Sequence, residues 1–149
     1  MKFKTLMTIL ACLSLTAISS QAQKHIDFAK LSKYVGDYDH HRNGDRLVVL
    51  NAPIASEVTY IKGYRVYTFT AEDEGIREAF YTSAALAKSL RQNLNSRAVL
   101  MSITCVLVEI ASDQDTYRAP FATKIDGINM DGDVVWTVTG PPPPKLRFK

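Results

Sequence analysis

The chain reads as mainly β, α+β by strict count: a small antiparallel curved sheet with one helix after the third strand. Three observations predict this. Residues 98–110 alternate with period two, setting Val99, Met101, Ile103, Cys105 and Leu107 against Ser102 and Thr104, the pattern of a half-buried strand. Residues 58–71 are rich in β-branched and aromatic side chains, with Tyr67, Phe69 and Ala71 on one face and Tyr64, Val66 and Thr68 on the other, as strands prefer. Leu86, Leu90 and Leu94 fall four apart, the spacing of one apolar helix face.

The elements follow in order. Lys2 and Lys4 precede an apolar run over 6–18, and Ser20-Gln21-Ala22 puts small residues where a signal peptidase reads. Residues 1–22 are therefore expected to be a secretory signal peptide cleaved near Ala22, its apolar run falling short of the ~20 residues that span a bilayer. Residues 23–140 would form a single globular domain, and 141–149 a Pro-rich and basic C-terminal tail. Within 23–36, Asp27 is a candidate N-cap for a short helix carrying Phe28, Leu31 and Val35, ended by Gly36. Asn43-Gly44 predicts a hairpin pairing 35–41 with 46–51, because both central residues of such a turn need positive φ. The stretch 58–71 is long for one strand, so Gly63 marks either a bulge or a Lys62-Gly63 turn that splits it.

Glu72-Asp73-Glu74-Gly75 is a solvated turn, and Ser83 caps the leucine helix, which ends at Asn95. Burying its leucines would contribute ~1.5–3 kcal/mol each, enough to dock a helix too short to stand alone. Asp113-Gln114-Asp115 makes a turn before a strand over 117–125, and Met130-Asp131-Gly132-Asp133 a tight turn into 134–138. The prolines from Pro141 to Pro144 end the last strand, since proline donates nothing to a ladder. They form a stiff extended rod that is a strand terminator first and a recognition element second.

With an aromatic-rich strand ahead of a helix between the third and fourth strands, this element order resembles a small barrel of the OB type. The resemblance is one of element order and rests on no family motif. It implies a barrel whose helix plugs one end and whose strand faces bind oligonucleotides or oligosaccharides on aromatic rings.

With 46% hydrophobic and 22% charged residues, the composition excludes a disordered tail, a collagen-like repeat and a disulfide-dense miniprotein. The formal charge of +3 comes from 18 basic and 15 acidic residues. Losing Lys2 and Lys4 with the signal reduces it to +1, which argues against nucleic acid, whose groove needs a positive track. Cys12 leaves with the signal, so Cys105 has no partner for an internal disulfide. On an apolar strand face it acts as a small, unreactive hydrophobe. The expected location is the periplasm or the outside medium.

Several constellations are candidates for chemistry. Tyr60, Lys62, Tyr64 and Arg65 interleave aromatic and cationic side chains on the long strand, and form the candidate binding surface. Asp37, Asp39 and His41 share a face at period two, with His25 a stray extra; carboxylate and imidazole are metal ligands. Residues 127–138 fail as a calcium loop, because Gly127 and Val138 stand where carboxylates are required. No nucleophile elbow, His-Glu-x-x-His or phosphate-cradling loop is present, so no catalytic residue is assigned and no cofactor is implied. Glu72, Asp73, Glu74 and Glu78 would do acid–base work only if a cleft desolvated one of them. The expectation is an exported, non-enzymatic binding or adaptor module that engages a protein or glycan partner in the cell envelope. The alternative is a metal-binding protein or metal-dependent enzyme using Asp37, Asp39 and His41.

Overall fold

A computed structural model describes residues 23–37, 44–62, 66–111 and 116–144. β1 (Lys24–Asp27) leads through a 3-10 turn (Phe28–Lys30) into α1 (Leu31–Val35), followed by β2 (Arg46–Pro53), β3 (Glu57–Ile61), β4 (Val66–Asp73) and β5 (Ile76–Thr82). Then come α2 (Ala84–Asn93), β6 (Leu100–Ala111), β7 (Thr116–Ile128) and β8 (Val134–Thr139). The chain is mainly β, as expected. Asp27 caps the 3-10 turn by accepting from the Ala29 amide at 3.0 Å, and Ser83 caps α2 by accepting from the Leu86 amide at 3.2 Å, both in the roles their sequence positions suggested.

The strands form one sheet in the order β1-β2-β6-β7-β5-β4-β3, with β8 also paired to β7. Since β6 covers one edge of β7 along its length, β5 and β8 share the other, β5 at Phe121 and Ala122 and β8 from Lys124 to Ile128. The sheet is mixed, which corrects the antiparallel expectation. β1 runs parallel to β2 and β5 parallel to β7. Between β1 and β2 a helical crossover returns the chain in its original direction, whereas β5 and β7 come out parallel because α2 leads first into β6, which runs antiparallel to β7. Among the described residues no pairing joins β3 to β1, so a closed OB-like barrel is not formed. The sheet nonetheless curls, bringing β2 near β4, and the Ser56 amide, just ahead of β3, donates to the Thr70 carbonyl at 2.9 Å and extends the β3–β4 ladder.

Three further expectations change. Both edges of β2 are occupied, by β1 and by β6, so β2 is not half of a hairpin with 35–41; residues 38–43 lie outside the described ones. The stretch 58–71 divides into two strands, β3 and β4, paired antiparallel with Tyr60 opposite Tyr67; Gly63 lies outside the described residues. β5 was not anticipated, so α2 follows the fifth strand instead of the third. Its inward positions are Ile76, Glu78, Phe80 and Thr82, and two polar residues among four erase the alternation that marks a strand. The β4–β5 connection is a two-residue turn in which Glu74 (φ 46°) and Gly75 (φ 84°) both take positive φ, the geometry that suits the twist of a hairpin.

The main core lies on the concave face. Leu47, Val49, Phe69, Phe80, Met101, Ile103, Leu107 and Ile125 meet Leu86 and Leu90 of α2 and Phe28 and Leu31 from the N-terminal turn. Phe69 and Phe80 are register partners and stack at 5.1 Å with 9° between their planes. A smaller cluster of Val66, Val108, Ile110, Ala119 and Phe121 sits on the opposite face of the sheet. The Thr82 hydroxyl, buried between the two, donates to the Ala122 carbonyl at 2.9 Å, satisfying a group that would otherwise cost about 1–3 kcal/mol.

Candidate functional site

The β3–β4 pair carries an exposed tyrosine, Tyr60, on a face that also holds a ring and a cationic side chain in contact. Because Tyr60 is the register partner of Tyr67, the two rings share a face, and their centroids lie 5.0 Å apart with a 51° tilt. Tyr67 is half-buried, held where β4 passes α2, whereas Tyr60 on the edge strand is 47% exposed. Arg91, from the last turn of α2, places its guanidinium 5.5 Å from the Tyr67 centroid. It also donates through Nη2 to the Val58 carbonyl at 2.8 Å. Helix and edge strand are thus tied together by one side chain, in a cation–π geometry worth ~0.5–1 kcal/mol at an exposed site.

Lys62 is exposed in the turn just beyond β3, two residues from Tyr60. At the other end of β3, Glu57 is engaged by Arg77 at 3.2 Å. The structure therefore brings together Tyr60 and Lys62 from the sequence-predicted set and adds Tyr67 and Arg91. Tyr64 and Arg65 lie outside the described residues. Tyr67 was read only as sharing a strand face with Phe69 and Ala71, a pattern that does not say which ring it meets on the neighbouring strand. Arg91 follows Leu90 on the flank of the apolar helix stripe, and no local signal says which strand that flank will meet.

Of the metal candidates, only Asp37 and the stray His25 lie among the described residues. Asp37 lines a groove of about 460 Å³ with His25, Asp27 and Tyr34, while Asp39 and His41 lie outside the described residues. Asp27 in that groove accepts from Asn51 Nδ2 at 2.9 Å as well as from the Ala29 amide. The Asn51 hydrogen bond, followed by the Ala29 one, holds its carboxyl below the ordinary range. Burial, followed by the charges of Asp45 and Asp37, pushes the Tyr34 hydroxyl up. Among the described residues no group of three or more His, Cys, Asp or Glu side chains is placed to hold a metal ion. At the turn before β8, the Asn129 side chain accepts from the amides of Asp131 and Asp133 at 3.0 and 2.9 Å, so its oxygen serves the turn. Cys105 is fully buried, and desolvation pushes its thiol far above the ordinary range.

One of the four acids considered for proton transfer is desolvated. Before Tyr81 meets Phe121, β5 and β7 diverge, leaving a cleft of about 400 Å³ between them. Glu78 and Arg118 line it, and α1 contributes Ser32 and Val35. The hydroxyls of Tyr81 and Tyr117 hydrogen bond across its outer face at 2.9 Å. Burial raises the Glu78 carboxyl above the usual range. Among the described residues that line the cleft, Glu78 has no second carboxyl beside it. Glu72, Asp73 and Glu74 sit exposed at the β4–β5 turn.

No family model matches the chain, and no curated protein matches it. Among solved structures it is similar to a chain described as an aspartyl-tRNA synthetase from Leishmania major Friedlin, at 10% identity and a TM-score of 0.37. The likeness covers 72% of this chain and 21% of that one, and at this size it bears on neither fold family nor activity. No helix among the described residues is long and apolar enough to cross a membrane.

Proposed function

We propose that this chain is an exported, non-enzymatic binding or adaptor module that engages a protein or glycan partner in the cell envelope through the β3–β4 aromatic face. The observation that carries the reading is Tyr60: a large ring left 47% exposed on an edge strand while Tyr67 and Arg91 hold the surface behind it. Tyrosine and arginine are enriched where proteins bind partners, because a rigid ring and a planar guanidinium contribute contact area at small entropic cost. Bracing matters for the same reason. A ring already fixed by a neighbour loses less freedom when a ligand settles on it. Support for export comes from residues 1–22, whose lysines, apolar run and small residues before Gln23 have the order of a secretory signal.

The test is capture from a cell-envelope extract by residues 23–149, which include every described residue, alongside the Tyr60→Ala variant. Bound proteins are identified by mass spectrometry and bound glycans by monosaccharide analysis. The expected result is a stoichiometric ligand retained by the native chain and lost by Tyr60→Ala, with both melting at the same temperature. Equal retention by the two proteins would remove Tyr60 from the binding face and the reading with it.

A further inference from the structure

The charged groups around Tyr60 are sorted by sign. Lys62 is exposed in the turn two residues beyond Tyr60, Arg91 lies over Tyr67, and Lys88, one helical turn before Arg91, is exposed on α2. The nearest acid on the edge strand, Glu57, is neutralised by Arg77 at 3.2 Å. The acidic stretch Glu72-Asp73-Glu74 stands at the far end of the β4–β5 hairpin. Six residues of β4 separate Tyr67 from Asp73, about 20 Å at the rise of a strand, beyond the Debye length of about 8–10 Å in physiological salt. Among the described residues, a ligand on Tyr60 therefore has cations within side-chain reach, Lys62 in the turn after the strand and Arg91 on the helix, and the only acid of the edge strand, Glu57, is already paired.

The ring geometry narrows the ligand class. Tyr60 and Tyr67 are inclined at 51°, so they offer no pair of parallel platforms for successive bases, the arrangement by which single-stranded nucleic acid is held on aromatic side chains. A single exposed ring suits the flat apolar face of a pyranose. From Tyr60 to Lys62 is at most about 7 Å along the chain, so a sugar stacked on Tyr60 would place substituents of its neighbours within reach of the flanking cations.

We infer that the β3–β4 face binds an acidic polysaccharide, one sugar ring stacking on Tyr60 while carboxylate groups on adjacent sugars pair with Lys62 and Arg91. This rests on the binding-module reading above and specifies its ligand. Arg91 is suited to the task because its planar fork meets a carboxylate with two parallel hydrogen bonds, and one donor can remain on Val58 while others turn outward.

The experiment is isothermal titration calorimetry of residues 23–149 against three probes: an oligogalacturonate, a neutral glucan oligomer of equal length, and a single-stranded oligonucleotide. The expected result is binding of the oligogalacturonate at least tenfold tighter than of the other two, weakening as salt rises. Tyr60→Ala and Lys62→Gln should each lower the affinity tenfold or more with melting temperature unchanged, and Arg91→Lys should restore most of what Arg91→Gln loses. Equal, salt-independent binding of both glycans that Tyr60→Ala abolishes would overturn the acidic specificity and leave the binding-module reading standing. Tightest binding of the oligonucleotide would overturn the ligand class. No binding of either glycan would overturn the inference, with the capture experiment then deciding for or against a protein partner.

Discussion

Trp136 of β8 lies directly over Gly127 of β7, its register partner, and a Cβ added at position 127 would stand 2.5 Å from the indole Cζ2 and Nε1. The indole nitrogen donates to the Ser96 hydroxyl, just past the end of α2, so this packing clamps the end of the helix that presents Arg91. In an unobstructed strand, alanine would be favoured over glycine by about 0.5–1 kcal/mol. Here the opposite sign is expected. Gly127→Ala must displace the ring or spread two hydrogen-bonded strands, and overpacking of that kind costs about 1–3 kcal/mol. Trp136→Ala alone should cost about 3 kcal/mol, the low end for tryptophan truncation, since the ring is only partly buried. In the double variant the new methyl occupies space the indole has vacated, so the cost should stay near that of Trp136→Ala, a coupling of about 1–3 kcal/mol. Trp136 is the chain's single tryptophan, so unfolding in urea should be followed by far-ultraviolet circular dichroism, not fluorescence. With a slope of about 2 kcal/mol per molar, a 2 kcal/mol loss moves the midpoint by about 1 M. A Gly127→Ala variant as stable as the native chain, or strictly additive costs in the double variant, would refute the close-approach reasoning.

Two other outcomes are expected. Burial raises the Glu78 carboxyl, so the folded state holds that proton more tightly than the unfolded one, and ionisation costs stability at neutral pH. Glu78→Gln should therefore raise the melting temperature at pH 7, with the gain fading below about pH 4, where the carboxyl is protonated in both states; a gain independent of pH would show that the effect is not titration. Cys105 is fully buried with its thiol pushed up, so an aromatic disulfide reagent should label it only as fast as the chain unfolds. Rapid labelling of the folded protein at neutral pH would place the side chain outside the core.

Much of the fold was legible because it depends on local periodicity. The inward face of β6, from Met101 to Leu107, the caps at Asp27 and Ser83 and the leucine stripe of α2 all stand where spacing placed them, since strand alternation, capping and helical repeat are properties of neighbouring residues. Val99 departs from that face and is exposed because it precedes the strand, its amide bonding to Ile128 at 2.8 Å. β5 was not legible, because Glu78 and Thr82 occupy inward positions whose cover comes from α1 and from the Ala122 carbonyl, both distant in sequence. Likewise, the choice between parallel and antiparallel neighbours depends on where each crossover returns the chain.

The candidate site divides in the same way. By themselves the residues determined that Tyr60 and Lys62 stand two apart in an aromatic and cationic stretch, and that Cys105 belongs to the apolar face of a strand, which follows from the period of two. Only the tertiary structure decided that Tyr67 would brace Tyr60, that Arg91 would cross from α2 to the edge strand, and that burial would raise the Glu78 carboxyl. These are contacts between segments far apart in the chain, fixed by how the sheet curls and where the helix docks, and short-range pattern carries no information about either.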